Sequence, residues 1–355
     1  MTTLTSTLMP SRSSALHRLY TGLLLAMLAG LVVSVMSGVV QVPSQELLAA
    51  LIAPFSGTTM QTGSESGVAH AVLWELRLPR ALMALLIGAS LAMAGAAMQG
   101  LFGNPLADPG IVGVSSGASL GAVMIIVLRI DVLGAWTLPV GAFCSGFVTT
   151  WLIYLLARPS QFEGDNARLL LIGIAINAVA GAMTGYLTYL ASVEQLESLM
   201  FWSMGSLASV GWTPVLTVAP LALVGLVLLR RQAIPLDLLA LGERQARHAG
   251  VDVTRLRRRL IALTALLTAA AVAFTGTIGF IGLVVPHLMR TLIGPGHRHL
   301  LPLSAIGGGL LLMLADLGAR SLDPPNEIPI GILTASLGGP FFLWLVARRQ
   351  AGGGH

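Results

Sequence analysis

The sequence predicts an all-α, polytopic membrane protein with about ten transmembrane helices. Three observations predict it. Of its 355 residues 55% are hydrophobic and only 10% are charged, against about 25% charged in soluble domains. Apolar runs long enough to cross a hydrocarbon core of about 30 Å recur from end to end. Those runs are solidly apolar, whereas the strands of a membrane β-barrel would alternate apolar and lumen-facing polar residues. A helix satisfies its backbone hydrogen bonds within one segment, as hydrocarbon demands.

The polar stretch 1–18, with Arg12, His17 and Arg18, precedes an apolar run over 19–40. That run is long for a cleavable signal peptide and no small-residue cleavage site follows it, so a retained first helix is expected. The later spans are expected near 80–102, 111–130, 135–157, 168–191, 213–230, 260–276, 278–293, 301–319 and 329–347. All 355 residues then form one transmembrane domain, with a polar loop at 231–259 and a tail at 348–355. If residues 1–18 lie in the cytoplasm, sixteen of the twenty arginines fall inside. Only Arg77, Arg80, Arg129 and Arg320 fall outside. This is the asymmetry that positive-inside topology requires, and it places both termini in the cytoplasm.

Every basic residue other than histidine is arginine; there is no lysine. A P-loop needs its lysine to reach nucleotide phosphates, so ATP hydrolysis of that kind must belong to another chain. The one cysteine, Cys144, excludes a disulfide framework and a thiolate metal cluster, and is expected as a small packed residue. No metal site and no covalently bound cofactor is expected.

Two helices carry a small or short residue every fourth position: Gly88, Ala92, Ala96 and Gly100, then Gly173, Asn177, Gly181 and Gly185. Such stripes let helix backbones approach closely in lipid. The amide of Asn177 needs a partner at membrane depth, either on another helix or along a pathway.

Polar chemistry gathers at five places. Arg77-Leu78-Pro79-Arg80 lies at the expected outer entrance to the second helix. Its two arginines suit either anchoring to lipid phosphate or a socket for external carboxylates. Asn104-Pro105-Leu106-Ala107-Asp108-Pro109-Gly110 breaks the chain between the second and third spans, as a tight turn or as the inner constriction of a pathway. In the loop 231–259, Pro235 can open a short helix with Leu236, Leu239 and Ala240 on one face. Gly242 then breaks it, and a second helix runs from Glu243 to Ala249 before Gly250. These suit docking to another protein, or an interfacial helix on anionic lipid. The stretch 276–290, rich in glycine and holding Pro286 and His287, suggests a sharp re-entry. Asp316 and Arg320, four apart, can pair along one face as an ion pair or a functional site.

Three classes fit these features: the membrane subunit of a pump driven by a separate ATPase, a secondary transporter, or a membrane-embedded enzyme. Asp316 is the only acid inside a span, which weakens the second. No clustered histidines and carboxylates support the third.

Taken together, Arg77-Leu78-Pro79-Arg80, Gln99-Gly100, the 104–110 break and Gly113-Val114-Ser115-Ser116-Gly117-Ala118 resemble the permeases of type II ABC importers. So do Leu241-Gly242-Glu243, Gly279-Phe280-Ile281-Gly282-Leu283, Pro286-His287, and Pro329-Ile330-Gly331 through Gly339-Pro340-Phe341-Phe342. These permeases carry iron-siderophores, heme or vitamin B12. The resemblance covers roughly 77–348. It implies a homodimer in the bacterial inner membrane, two cytoplasmic ATPase subunits that use the ATP, a periplasmic substrate-binding protein, membrane lipid around the whole, and no nucleic acid. It maps binding-protein docking onto Arg77, Arg80 and Arg320, and the cytoplasmic gate onto Asn104 and Leu106. ATPase coupling maps onto Leu239, Leu241, Gly242, Glu243, Arg244, Ala246, Arg247 and Gly250. The fifth span and the segment after it, with Asn177, Gly181 and Tyr186 as pathway candidates, look most like heme-importer permeases. Ferric-siderophore and vitamin B12 permeases are the alternatives.

Overall fold

A computed structural model describes residues 12–38 and 65–352 apart from 158–164, with isolated positions at 40, 43, 45, 46 and 49. Residues 1–11 of the expected N-terminal segment, Arg158, and 353–355 of the tail lie outside the described residues. Every regular element described is helical. Seven helical stretches are long and apolar enough to cross a membrane, and three shorter apolar helices, 114–127, 281–293 and 330–344, make up the expected ten. A 14-residue helix rises only about 21 Å. The first two are thus shorter than the hydrocarbon core is thick, whereas the third continues as helix to Gly352.

Helix α1 (Arg12–Met36) is followed by α2 (Glu65–Ala71), a π-helical turn (Val72–Arg77) and α3 (Leu78–Phe102) in one unbroken helical run. Pro79 sits just after the π turn, inside the unbroken helical run, where it has no N–H to donate to the preceding turn. The π turn bridges the junction, and Arg77 and Arg80 are drawn inside the protein. Gly103, at φ 59°, ends α3.

Beyond the 103–113 link lie α4 (Val114–Val127), α5 (Thr137–Leu156), α6 (Asp165–Leu190) and α7 (Val193–Met204). A reciprocal cap between Ser192 and Gln195 starts α7, and the Gln195 amide donates to the Ile126 and Val127 carbonyls, tying α7 to the end of α4. Helix α8 (Trp212–Arg230) leads to the two short helices α9 (Ala233–Leu239) and α10 (Glu243–His248) of the polar loop. Pro235 falls third in α9, and Ala240 is exposed, while Leu236 and Leu239 face the protein as expected. Asp252 caps α11 (Val253–Thr275) by accepting from the Arg255 N–H. Next come α12 (Ile281–Ile293), α13 (His297–Ser321) and α14 (Ile330–Gly352). The re-entry between α11 and α12 is real. Gly276 and Phe280 both take positive φ, and the Ser206 N–H of the α7–α8 link donates to Thr275 O at 2.8 Å where the turn begins.

Helix α3 is the axis of the fold. It runs antiparallel to α13: Arg80 meets Asp316, Gly88 meets Gly308, and Gly100 meets His297. A Cβ on Gly88 would fall on the Gly308 carbonyl, and one on Gly95 would fall on the Gly282 carbonyl. These approaches require glycine, because lipid gives helices no hydrophobic drive to associate and close packing must hold them. Helix α1 runs parallel to α13: Tyr20 faces His299, Gly30 faces Met313, and Ser34 bonds Arg320. Cys144 is not packed in the core as expected; α5 turns it outward.

Candidate functional site

The arginines singled out in the sequence come together at one end of the bundle, with an acidic partner that sequence reading missed. Arg77 donates to the carbonyls of Val35 (2.9 Å), Met36 (3.1 Å) and Val40 (2.5 Å). Arg320 donates to Ser37 O at 2.8 Å and to both Ser34 oxygens at 2.7 Å. Both guanidinium groups thus satisfy the orphan carbonyls at the end of α1, where the helix dipole favours a cation. Arg80 bonds Asp316 and, at 2.8 Å, the Glu327 carboxylate. Arg320 also lies 3.5 Å from Asp316 along its own helix, as the four-residue spacing predicted.

All three arginines are buried and Asp316 is wholly so. The expected solvent-facing socket is therefore a structural cluster first. Its cause is the continuous helical run that carries Arg77 and Arg80 more than ten residues past the start of α2. The cluster still borders a cavity of about 170 Å³ lined by Arg77, Arg80, Arg320 and Glu327, whose charges leave an excess of cation. Glu327 lies in an irregular segment after α13, and nothing in its spacing from Arg80 marks the pairing.

At the other end the 103–113 link is a chain of local turns. The Asn104 side chain accepts from the Leu106 N–H at 2.9 Å, and the Asp108 side chain accepts from the Gly110 N–H at 2.7 Å. Burial pushes the Asp108 carboxyl above its ordinary range, and the Gly110 N–H opposes this. Leu106 is partly exposed and borders a crevice with Val284 and His287 of α12 and Phe341 of α14. The gate candidates thus sit where three elements converge.

The loop residues divide into two sets. Leu239 and Ala246 are buried against the body. Glu243 accepts from the buried Arg257 at 2.6 Å and lies 3.5 Å from Arg247. Asp237 accepts from the backbone and the ring of His297, both at 2.7 Å, which fastens α9 to the start of α13. Leu241, Arg244, Arg247 and Gly250 are exposed on the far side. Between α3 and α12, Arg290 donates to Gln99 at 2.8 Å, and the Gln99 amide reaches the Gly282 and Leu283 carbonyls. The signal for the Asp237–His297 and Arg290–Gln99 pairs was polar residues near helix ends, but their partners are 60 and 191 residues away.

The pathway candidates separate as well. Asn177 accepts from the Ser116 hydroxyl at 2.5 Å and so joins α6 to α4. Gly181 and Gly185 face open space, and Tyr186 is 64% exposed. Among the described residues no group of three histidine, cysteine or acidic side chains gathers to hold a metal.

Residues 24–348 match the FecCD transport family. The hemin transport system permease protein HmuU of Yersinia pestis is 47% identical over 296 residues, covering 82% of this chain and 88% of that protein. The vitamin B12 import system permease protein BtuC of Vibrio cholerae is 44% identical over 287 residues, covering 80% and 85%. Among solved structures, an ABC transporter described as metal-chelate type, in an inward-facing conformation, superposes with a TM-score of 0.78 at 33% identity. That match covers 94% of this chain and 99% of the other.

Proposed function

We propose from one premise, that this chain belongs to the FecCD transport family of ABC importer permeases, that its cargo is heme, moved inward across the bacterial inner membrane. Family membership makes it a multi-pass transport subunit whose ATP chemistry resides on a separate subunit, consistent with a chain that has no lysine.

The observation that carries the cargo reading is the uncovered face of α6 and α7. Tyr186 and Tyr189, with Met183, Met200 and Phe201, stand exposed beside the open glycines of α6. A large, flat, mostly apolar ligand suits such a surface, since ligand sites are mainly apolar and aromatic with a few polar groups. The 47% identity to a hemin permease points the same way. The 44% identity to a vitamin B12 permease favours cobalamin as the second reading.

In this reading two copies meet across α6 and enclose the path, with Asn104 and Leu106 at its cytoplasmic end. The exposed residues Leu241, Arg244, Arg247 and Gly250 meet the ATPase. Leu239, Gly242, Glu243 and Ala246 hold that loop in shape. A periplasmic binding protein docks over the Arg77, Arg80 and Arg320 cavity, where its carboxylate competes with Glu327. Glu327→Gln removes the competitor, so binding-protein affinity rises several-fold; unchanged affinity would place docking elsewhere.

The deciding experiment reconstitutes the permease with its ATPase and binding protein in vesicles and compares heme, a ferric siderophore and cobalamin. Accumulation of heme above the other two, only with ATP, is expected. Preference for cobalamin would overturn the cargo. Uptake driven by an ion gradient without ATP would move the chain to the secondary transporters.

A further inference from the structure

Helix α13 begins without a cap of its own. Gly296, just before it, has no side chain to offer the orphan N–H groups of the first turn. Asp237 of α9, 60 residues earlier in the chain, takes that place. One of its carboxylate oxygens accepts from the His297 N–H and from the His297 ring at Nδ1, both at 2.7 Å. An acceptor there puts the ring proton on Nδ1. The other ring nitrogen, Nε2, is buried, has no hydrogen-bond partner among the described residues, and faces Gly100 of α3. A Cβ on Gly100 would fall on that nitrogen and come within 3.1 Å of Leu236 Cδ2. Leu236 precedes Asp237 in α9 and is fully buried. Two successive residues of the loop helix therefore bear on one glycine, Leu236 directly and Asp237 through the His297 ring.

Gly100 lies one helical turn before the gate candidates. The carbonyl of its neighbour Gln99 accepts from the Asn104 N–H at 3.2 Å, and the Asn104 side chain accepts from the Leu106 N–H at 2.9 Å. The Gln99 side chain donates to the Gly282 and Leu283 carbonyls of α12, and Leu283 borders the same crevice as Leu106. Gln99 thus holds both walls of that crevice, one through its backbone and the other through its amide. Between α9 and Gln99 stand only two short hydrogen bonds and a ring seated on a glycine. Close-packed contacts of this kind pass displacement on rather than absorb it.

We propose that Asp237, His297 and Gly100 form the joint through which movement of the loop 231–259 reaches the cytoplasmic gate, on the reading that the ATPase meets the exposed side of that loop. Asp237 and His297 are positioning residues, and they act through Gly100 and Gln99.

The test uses the whole transporter, permease with its ATPase and binding protein, in lipid nanodiscs for the gate and in vesicles for uptake. The gate is read at Leu106→Cys in a Cys144→Ser background, where position 106 holds the chain's only cysteine. The readout is the rate of maleimide labelling there with and without ATP. That background is expected to show at least a threefold change on adding ATP. Asp237→Ala is expected to keep the ATPase bound and hydrolysing, yet to lose that change. Per ATP it should move at least fivefold less of whichever of heme and cobalamin the unaltered chain accumulates. Asp237→Asn, which keeps an oxygen for both His297 donors, is expected to recover both readouts to within about twofold. A background chain without the labelling change, an alanine chain that retains it, or an asparagine chain no better than the alanine one overturns the proposal. Should the alanine chain not fold, hydrogen exchange on the unaltered complex decides. The peptides holding His297 and Asn104 are expected to change protection together on adding ATP, and any other pattern overturns the proposal. ATPase binding is read separately on Arg244→Glu with Arg247→Glu. Lost binding supports the docking reading; retained binding overturns that reading and the joint with it, whereas the results at Asp237 overturn the joint alone.

Discussion

Helices α3 and α6 have the same small-residue stripe and opposite fates. In the run containing α3, 78% of the membrane-crossing window is buried; in α6, 17% is. Gly88 meets the α13 backbone and Gly100 meets His297. In α6 only the first half of the stripe finds neighbours: Gly173 abuts Ile111 O and Asn177 bonds Ser116, while Gly181 and Gly185 meet nothing. A four-residue stripe makes a helix able to be approached closely. What approaches it is set by the rest of the fold, and within this chain nothing approaches Gly181 or Gly185 of α6.

The comparison can be broken most forcefully at the α3–α13 seam. Asp316→Ala leaves Arg80 and Arg320 without their shared buried carboxylate, an expected loss of about 3–5 kcal/mol. Thermal unfolding of the purified protein should show it, and an unchanged melting temperature would mean that Glu327 and the α1 carbonyls suffice. Gly88→Leu drives a side chain into the Gly308 carbonyl, which belongs to a rigid helix. Overpacking of this kind costs about 1–3 kcal/mol or more. Loss of the monodisperse species on size-exclusion chromatography is the readout.

The paired change on α6, Gly181→Leu with Gly185→Leu, is expected to leave the protomer's melting temperature nearly unaltered and to abolish both dimer formation and transport. If it destabilises the protomer as much as Gly88→Leu does, the two stripes are equivalent after all. The smallest effect is expected at Asp108, in the link against which the first half of α6 rests. Its folded pKa is raised, so the folded chain holds a proton that the unfolded chain has already released. Its contribution to stability is therefore intact at acid pH and falls as pH rises through the carboxylate range. Asp108→Asn keeps the acceptor for the Gly110 N–H and removes that pH dependence. Melting curves of the two proteins should coincide at low pH and separate at neutral pH, with the variant higher.

Much of this was legible in the chain. The apolar runs located the spans, because hydrocarbon admits few other structures. Gly242 and Gly250 punctuated the loop helices where the structure does, since Gly242 takes φ 116° and Gly250 φ 85°. Asp316 and Arg320 were readable as a pair because helical spacing is local. Arg77 and Arg80 were recognisable as important yet misplaced, because the π turn that carries the helix past them has no signature in Val72–Arg77. Glu327, Asp237 and Gln99 were not readable as partners of Arg80, His297 and Arg290, since each pairing spans many residues.

By itself, then, the sequence determined the solvent this protein lives in, an approximate count of about ten spans and the absence of a P-loop lysine. These depend on composition and on short-range periodicity. The tertiary structure alone decided which arginines are buried and which glycine stripe is covered and which is left open. Those depend on contacts between helices far apart in the chain, and no local pattern encodes which face meets which.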